Sequence, residues 1–464
     1  MYRSFSLFAR VDFFVDADGN LFMRSNNVVL SFSMAFLLTV SLPHVLKAAE
    51  PQTLSVEIDD STDSSTPSEI LTLSQVLAFV LKSNPELTAF SWENRAQDAA
   101  ILQAQLLPNP TFSANASNFG NKNIQGYDGD VVTLEFSQLI ELGDKRAART
   151  NVAKLNKELA SFDYERKRID VLTQASQRFI DVLLAQQTLT LIQQMQVLVT
   201  QSLHTITARV QSGKVPPVDE TKAKIIDAST HLELIRAQRE LDAARKLLAA
   251  SWGSDMPSFK TVLGHLDVIN PPLPIQTLQQ KLVNNPDVAR WVTEIQQRHA
   301  LLDIQKSKAV PDVTATFGVS RYLMPNEYAA TLGFSIPLPL FDRNQGNIEE
   351  AQHRLTKAQA EQHHAQIQVE TSFSHSYLTS ETIYAELLTL RQEILPNAQQ
   401  VYDVANEGYR LGKFGLLDVL DAQRTLFSAQ KQYLTSLADY HKSNIEIEKL
   451  VNALVNQPTE NYGQ

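Results

Sequence analysis

Short segments in which apolar and polar residues strictly alternate are separated by much longer helical patterns. The alternation runs over residues 111–119, 130–139, 312–321 and 328–337. A period of two predicts a strand with one apolar and one polar face. A strand of about ten residues can cross a lipid bilayer when it is tilted. We therefore predict two hairpins whose apolar faces meet lipid; four edge-exposed strands of a soluble sheet are the alternative.

A very long helical pattern follows each predicted hairpin. No proline or glycine occurs over 145–212, and only Pro396 and Gly408 interrupt 348–411. Some 65 residues rising about 1.5 Å each make a helix of roughly 100 Å. Apolar residues recur along both patterns at heptad-like spacing. A helix of this length cannot be buried within a globule of about 400 residues, so we predict extended antiparallel coiled coils.

The two halves of the chain repeat each other. Asn84-Pro85 corresponds to Asn285-Pro286, and Gly213-Lys214 corresponds to Gly412-Lys413, with an offset close to 200 in each case. A nearly constant offset indicates one unit of about 200 residues that occurs twice. Each unit is predicted to contain a first helix, two strands, a long helix, a tip turn and a return helix. For the first and second unit respectively, we predict the first helix at 72–107 and 276–309, the tip turn at 212–218 and 411–416, and the return helix at 217–252 and 416–455.

The N-terminal region has the pattern of an export signal. The apolar run Val28–Leu42 is shorter than the roughly 20 residues that a bilayer core needs, and Arg24 precedes it. This pattern is typical of a secretory signal peptide, with Met23 as an alternative start; a short membrane anchor is the other interpretation. The predicted divisions are a leader with signal peptide (1–49), a flexible acidic linker (50–69), the two repeats (70–255 and 275–455), a connector between them (256–274) and a tail (456–464).

Composition narrows the chemistry that the chain can perform. The 464 residues include no cysteine, which excludes disulfides, cysteine-based metal sites, a thiol nucleophile and a lipid anchor on an N-terminal cysteine. The 41 basic and 51 acidic residues give a net charge of −10, which disfavours nucleic-acid binding. No nucleotide-binding or hydrolase motif occurs, and no two of the ten histidines have the i, i+4 spacing of a helical zinc site. We expect no enzymatic activity, no cofactor and no dedicated metal site.

The number of predicted strands has a consequence for assembly. Four strands cannot close a barrel, because about eight are the practical minimum. Open strand edges are not tolerated in lipid. If these strands cross a membrane, several chains must pool them, which predicts a homo-oligomer.

Four motifs resemble the TolC-like outer-membrane efflux factors, and the resemblance extends over nearly all of residues 70–455. They are LLPNPTF (106–112), LIELGDKRAAR (139–149), IPLPLFDRNQGNIEEA (336–351) and YRLGKFGLLDVLDAQ (409–423). The second and third are similar to the CzcC-type branch, the outer-membrane members of cobalt–zinc–cadmium efflux systems. Asp144 stands where most of that branch has a second glycine.

The resemblance implies a fold that is mainly α with a small β part. Three chains would share a 12-stranded transmembrane β-barrel in the cell outer membrane. Their long antiparallel coiled-coil helices would continue this barrel into the periplasm as a trimeric α-barrel. The function implied is a passive exit duct for divalent heavy-metal cations such as cobalt, zinc, cadmium or nickel. Its partners would be outer-membrane lipid, a periplasmic membrane-fusion adaptor and an inner-membrane pump of the resistance–nodulation–division class. A channel of the same class that exports drugs or other small molecules, and a periplasmic coiled-coil scaffold without a pore, are the alternatives.

The resemblance also suggests roles for particular residues. The periplasmic entrance or gate would comprise Asp219, Tyr409, Asp418 and Asp421, with Tyr409 bonded across to Asp219 in a closed tip. The alternative for Asp418 and Asp421 is capping of a helix N-terminus. Phe414 replaces a gate arginine of the family's better-known member, so the closing network is expected to differ.

Two further groups of residues complete the expected sites. The tip turns that dock the adaptor would contain Gly213, Lys214, Gly412 and Lys413, with both glycines in left-handed C-cap geometry. The joint between barrel and helices would be stabilised by capping and salt bridges. Its residues would be Gly143, Asp144, Lys145, Arg146, Asp342, Arg343 and Asn344.

Overall fold

The computed structural model describes residues 12–15, 21–25, 28–32, 69–118, 131–323 and 326–452. The N-terminal 65 residues form a unit of their own. Within it, β1 (Asp12–Val15), β2 (Leu21–Ser25) and β3 (Val28–Phe32) form an antiparallel sheet in that order. Strand β3 covers the start of the apolar run that we interpret as a signal peptide. The rest of that run, the linker 50–68 and the tail 456–464 lie outside the described residues.

The two halves of the remaining chain share one order of elements. The first half contains β4 (Ile70–Thr72), α1 (Leu73–Ser83), α2 (Pro85–Gln105), β5 (Thr111–Ser117), β6 (Val131–Ile140), α3 (Lys145–Gln211) and α4 (Pro217–Ala250). The second contains β7 (Thr261–Leu263), α5 (Ile275–Gln279), α6 (Pro286–Lys308), β8 (Val313–Tyr322), β9 (Glu327–Ser335), α7 (Gln345–Thr389), α8 (Leu395–Arg410) and α9 (Leu416–Leu450). A 3₁₀ turn at Leu282–Asn284 precedes α6. Short strands β4 and β7 pair in parallel and join the starts of the two halves.

The first helix of each half is divided, which corrects the continuous helices predicted over 72–107 and 276–309. The divisions fall at Asn84-Pro85 and Asn285-Pro286, where both asparagines have extended backbone. Proline disfavours helical geometry in the residue before it and is well suited to the first position of a new helix. Asn84 Oδ1 accepts a hydrogen bond from the Leu87 N–H at 3.0 Å. Asn285 Oδ1 accepts one from the Asp287 N–H at 2.8 Å.

The same two asparagines fasten the start of each half to the end of its return helix. Asn84 Nδ2 donates to the Ser251 carbonyl at 2.8 Å. Asn285 Nδ2 donates to the Leu450 carbonyl at 2.9 Å. The structural repeat therefore extends to individual hydrogen bonds.

The second long helix absorbs its proline without breaking. A π-helical turn at Leu390–Ile394 connects α7 to α8, and the Leu395 N–H donates to the Leu390 carbonyl. Pro396 follows at the start of α8. A proline inside a helix removes one hydrogen bond and crowds the carbonyl four residues earlier. The wider turn lets the helical path continue past Pro396.

The main core lies where α1, α3, α4 and α9 meet beneath the connector. Phe179, Leu248 and Leu437 are almost fully buried there. His441 Nε2 is 2.9 Å from the Leu266 carbonyl, which ties α9 to the connector. Gln186 of α3 pairs with both backbone groups of Val262, at 2.8 Å to the N–H and 3.1 Å to the carbonyl.

The four predicted strands form one antiparallel sheet in the order β5-β6-β8-β9, and their bounds differ from the prediction by at most two residues. Phe112, Phe136, Phe317 and Leu332 stand opposite one another in consecutive strands, forming an apolar row across the sheet. All four are at least half exposed. In this sheet β5 and β9 each have a single neighbour, so two edges lack a partner. Among the described residues, no helix has both the length and the hydropathy of a membrane-spanning helix.

Candidate functional site

The two tip turns have the same hydrogen-bonded geometry. Gly213 and Gly412 have φ of +70° and +72°, which confirms the left-handed geometry predicted for both. The glycine N–H groups donate to the Val210 and Tyr409 carbonyls. The following Lys214 and Lys413 N–H groups donate to the Arg209 and Gly408 carbonyls at 2.9 and 2.8 Å. This pattern is the Schellman motif, which ends a helix by satisfying its last carbonyls. Lys214 and Lys413, the residues after the two glycines, are exposed.

An arginine from the first half holds Tyr409 of the second half at the tip. Arg209 Nη1 donates to the Tyr409 carbonyl at 2.8 Å, and its guanidinium carbon lies 4.4 Å from the centre of the Tyr409 ring. Among the described residues the buried Tyr409 hydroxyl has no hydrogen-bond partner. The bond to Asp219 that the resemblance implies for a closed tip is therefore not formed. Burial raises the pKa of the Tyr409 phenol; the Arg209 charge opposes this shift and the nearby Asp219 carboxylate adds to it.

The aspartates predicted at the entrance form local contacts. Asp418 Oδ2 accepts a hydrogen bond from the Gly415 N–H at 2.9 Å, so this carboxylate caps the start of α9. Asp421 pairs with Arg424 at 2.7 Å, and both side chains are largely exposed. Asp219, in the first turn of α4, lies 3.7 Å from Lys222. Capping thus accounts for the position of Asp418.

The joint between sheet and helices turns through left-handed backbone. Gly143, Asp144 and Asn344 have φ of +68°, +56° and +60°. A Cβ at position 143 would lie 2.8 Å from the Val310 Cβ, so glycine is required there for space as well as conformation. Asp144 occupies the N-cap of α3 but makes no side-chain cap hydrogen bond, which corrects the capping role predicted for it.

The second-half joint is held by asparagine and aspartate side chains. Asp342 Oδ1 accepts from the Asn344 N–H at 2.8 Å, and the Arg343 N–H donates to Gln345 Oε1 at 2.8 Å. Asn344 Nδ2 donates to the Gln305 carbonyl at 2.7 Å, which binds the joint to α6. Asn344 also makes no cap hydrogen bond to its own helix.

The ion pairs of the first-half joint include one predicted residue, Lys145, together with residues outside the predicted set. Lys145 pairs with Asp312 at 2.6 Å, and the Leu142 N–H donates to the same Asp312 oxygen at 3.0 Å. Arg149 binds both oxygens of Glu141, at 2.7 and 3.2 Å. Among the described residues Arg146 forms no ion pair.

Arg149 is the joint residue that sequence reasoning missed. Besides Glu141, it donates to the carbonyls of Ala104 and Leu106, each at 3.0 Å. These carbonyls end α2, so one guanidinium connects α2, the end of β6 and the first turn of α3. Its presence within the motif 139–149 was the available signal.

Within the described part of the chain, no group of three or more His, Asp or Glu side chains is placed to hold a metal ion.

Comparisons with known proteins agree with this architecture. Residues 76–254 and 277–453 match the family described as outer membrane efflux protein. The cobalt-zinc-cadmium resistance protein CzcC of Cupriavidus metallidurans is 35% identical over 82% of this chain and 90% of its own length. The nickel-cobalt-cadmium resistance protein NccC of Alcaligenes xylosoxydans xylosoxydans is 26% identical over 57% of this chain and 60% of its own length.

Solved structures support the same fold. One of them is CusC, whose crystal structures concern folding and transmembrane channel formation. It aligns with this chain at a TM-score of 0.69 and 16% sequence identity, and the alignment covers 82% of this chain and 91% of the CusC chain. The predicted fold of long helices with a small sheet is therefore confirmed. With both repeats matched and a relative above 30% identity along nearly its whole length, this chain belongs to the outer membrane efflux protein family.

Proposed function

We propose that this chain is the outer-membrane channel of a tripartite heavy-metal efflux system, acting as a passive exit duct. The observation that carries the proposal is a four-stranded sheet with an apolar row on one face, joined through the left-handed joint to helices of up to 67 residues. A sheet with one apolar face suits lipid, and a helix of about 100 Å suits a long periplasmic passage. Membership of the efflux family gives the direction of transport.

We infer a homotrimer, in which each unpaired edge is covered by a strand of a neighbouring chain. Three chains would pool twelve strands, with β9 of one chain beside β5 of the next. The helices at the lateral edges of the chain support this arrangement. On α4, Val218, Ile225 and Leu232 recur every seven residues and are 54%, 61% and 57% exposed. A heptad stripe of apolar residues is the pattern that a neighbouring helix covers.

A second exposed stripe is available to pair with the first. Helix α8 exposes Val401 and Val404, and the residue at its C-cap, Leu411, is exposed as well. Helix α4 packs on α3, and α8 packs on α9, so the two stripes belong to different helical pairs. Contact between unlike surfaces of neighbouring chains closes a ring when the rotation permits it. We infer that α4 of one chain packs beside α8 of the next.

The tip serves as entrance and docking surface in this proposal. Gly213, Lys214, Gly412 and Lys413 form the exposed turns that would meet a periplasmic adaptor, which connects the channel to an inner-membrane pump of the resistance–nodulation–division class. Three copies of Asp219, Tyr409, Asp418 and Asp421 would surround the entrance. Carboxylates repeated around a narrow opening raise the local concentration of cations.

Divalent heavy-metal cations are the proposed cargo because CzcC and NccC are both described as metal resistance proteins. Deletion of the gene should make cells sensitive to cobalt, zinc, cadmium or nickel while their sensitivity to drugs is unchanged. Restoration of metal resistance by the full chain is the control. Drug sensitivity without metal sensitivity would instead show a channel of the same class with another cargo.

The pore itself is tested with purified protein. A trimer whose migration on a denaturing gel changes on heating, and currents across planar lipid bilayers, are the expected results. A monomeric chain that carries no current would contradict the proposal and favour a periplasmic scaffold.

A further inference from the structure

The face of the β5-β6-β8-β9 sheet opposite the apolar row carries one charged side chain in the middle of the sheet and one at the end of the sheet. Charged residues of these four strands are Glu135, Arg321 and Glu327. Arg321 and Glu327 lie where β8 and β9 meet their connecting turn. Glu135 alone stands in the middle of the sheet. Its neighbours on that face are mainly hydroxyl, amide and small side chains, among them Ser113, Asn115, Thr133, Thr316, Ser320 and Thr331.

The position opposite Glu135 leaves room for its side chain. Glu135 faces Gly318 of β8 across the ladder. A Cβ on Gly318 would lie 3.1 Å from the Glu135 Cγ, tighter than an ordinary carbon contact. The glycine allows the glutamate side chain to lie across β8, above the sheet surface.

Within the described structure the carboxylate has one long hydrogen bond and no ionic partner. On its other side Glu135 faces Ser113, whose hydroxyl lies 3.5 Å from Oε2. Among the described residues no lysine, arginine or histidine forms an ion pair with Glu135. A glutamine could accept the same long hydrogen bond, so the contact with Ser113 does not explain why a charge stands here.

We propose that Glu135 is a cation-selecting residue of the barrel lumen. The inference rests on the proposed function, in which three chains form a barrel with this polar face inward. Three copies of Glu135 would then surround one level of a wall that carries no other charge in the middle of the sheet. Protein walls of low dielectric concentrate the field of such charges within the passage, which attracts cations and repels anions. The ions that it favours are hydrated cations, with divalent cations attracted more strongly than monovalent ones.

Ionic strength sets the size of the effect. The screening length is about 8 Å at physiological salt and about 30 Å at 0.01 M. A ring on the wall of a wide lumen therefore acts across the whole passage at low salt and only near the wall at high salt. Selectivity should weaken as the salt concentration rises.

The test is the reversal potential of the full-length trimer in planar bilayers under a KCl gradient. The measurements use an Asp418→Asn/Asp421→Asn background, which removes the negative charge of the proposed entrance. We expect the background protein to prefer K⁺ over Cl⁻. Glu135→Gln should reduce this permeability ratio several-fold, Glu135→Lys should reverse the preference, and Glu135→Asp should retain it.

Ser113→Ala is the matched control, because it changes the neighbouring hydroxyl and keeps the charge. It should leave the reversal potential unchanged. Heat-sensitive trimer migration confirms that each variant assembles, and the Glu135→Asp result guards against a general effect of substitution at this position. Trimers of Glu135→Gln that conduct with the reversal potential of the background protein would overturn this inference alone. Absence of any current from the unsubstituted chain would overturn the proposed channel, and this inference with it.

Discussion

The ring of Phe414 lies directly on the backbone of Gly408. A Cβ added at position 408 would be 2.0 Å from the Phe414 Cδ2, closer than any real contact. Gly408 is the residue whose carbonyl accepts the Lys413 N–H in the Schellman turn. The missing side chain therefore lets the turn fold back on its own helix and places Phe414 against it.

This contact predicts that the effect of Gly408→Ala on stability depends on Phe414. The substitution should destabilise the tip when Phe414 is present and stabilise it when Phe414 is replaced by alanine. Gly408→Ala should destabilise the tip by about 1–3 kcal/mol, because the methyl group overlaps the Phe414 ring. With Phe414→Ala in place the same change should stabilise it by up to about 1 kcal/mol, because alanine is the better helix former. Hydrogen exchange of amides 405–420 measures both effects. Destabilisation of equal size in the two backgrounds would contradict the contact.

The left-handed backbone of the tip turns predicts that replacing either tip glycine by alanine lowers the stability of the protein. Gly213→Ala and Gly412→Ala should each cost about 1–2 kcal/mol, since left-handed backbone is unfavourable for alanine. Neither position has a neighbour that a Cβ would meet, so steric crowding contributes nothing. Gly346→Ala is the matched control, because its Cβ also meets open space and its backbone is helical. Denaturant unfolding should rank the control above both tip variants; equal stability would argue against left-handed turns.

Arg149 should matter more to the joint than Arg146. Arg149→Ala removes hydrogen bonds to the Glu141 carboxylate and to the carbonyls of Ala104 and Leu106, at an expected cost of about 1–3 kcal/mol. Arg149→Lys should recover only part of the loss, because an ammonium cannot match the planar fork. Arg146→Ala should leave the free energy of unfolding nearly unchanged. Thermal unfolding of the purified protein checks this order, and equal losses at both arginines would refute it.

Asparagine substitutions separate the two roles considered for the entrance aspartates. Asp418→Asn can still accept the Gly415 N–H, so it removes charge while keeping the cap. Asp418→Asn with Asp421→Asn should weaken the block of single-channel current by multivalent cations added on the periplasmic side. Asp418→Ala should also lose about 1 kcal/mol of helix stability. Unchanged block in the double variant would remove these residues from the entrance.

Glu448 makes stability depend on pH. Burial raises its pKa from an ordinary 4.5 to about 7. Between those values the folded chain binds more protons than the unfolded chain, so stability falls as the pH rises. The loss should reach roughly 3 kcal/mol per chain above pH 7 and should be absent below pH 4.5. Glu448→Gln should lose this pH dependence, as measured by denaturant unfolding at pH 5 and 7.5; parallel curves for both proteins would contradict it.

The periodic parts of the fold could be predicted from the sequence. Alternation defined the four strands to within two residues, and the repeat placed both tip glycines in equivalent turns. The Asn-Pro pairs marked the repeat, but the breaks they cause were missed. The apolar pattern continues across Asn84 and Asn285, so hydrophobic spacing alone could not reveal that a second helix begins there.

The contacts of the candidate site were harder to predict because their acceptors are backbone groups. Arg149 binds carbonyls more than 40 residues earlier, and Arg209 binds the Tyr409 carbonyl 200 residues later. A carbonyl carries no residue-type signal. Asp144 presents the opposite difficulty. Its residue type suggests a cap, but its backbone is left-handed, unlike the extended backbone of a usual N-cap, and its side chain makes no cap hydrogen bond.

The unpaired edges of β5 and β9 also have a genetic consequence. In a ring of three chains every seam joins β9 of one subunit to β5 of the next, so a defect in a single β5 strand opens one of the three seams and with it the barrel. A proline introduced in β5 would therefore act dominantly when it is expressed beside the normal gene. Random mixing of equal amounts would leave only about one ring in eight wholly normal. Cells that carry both genes should then resemble cells that have lost the channel.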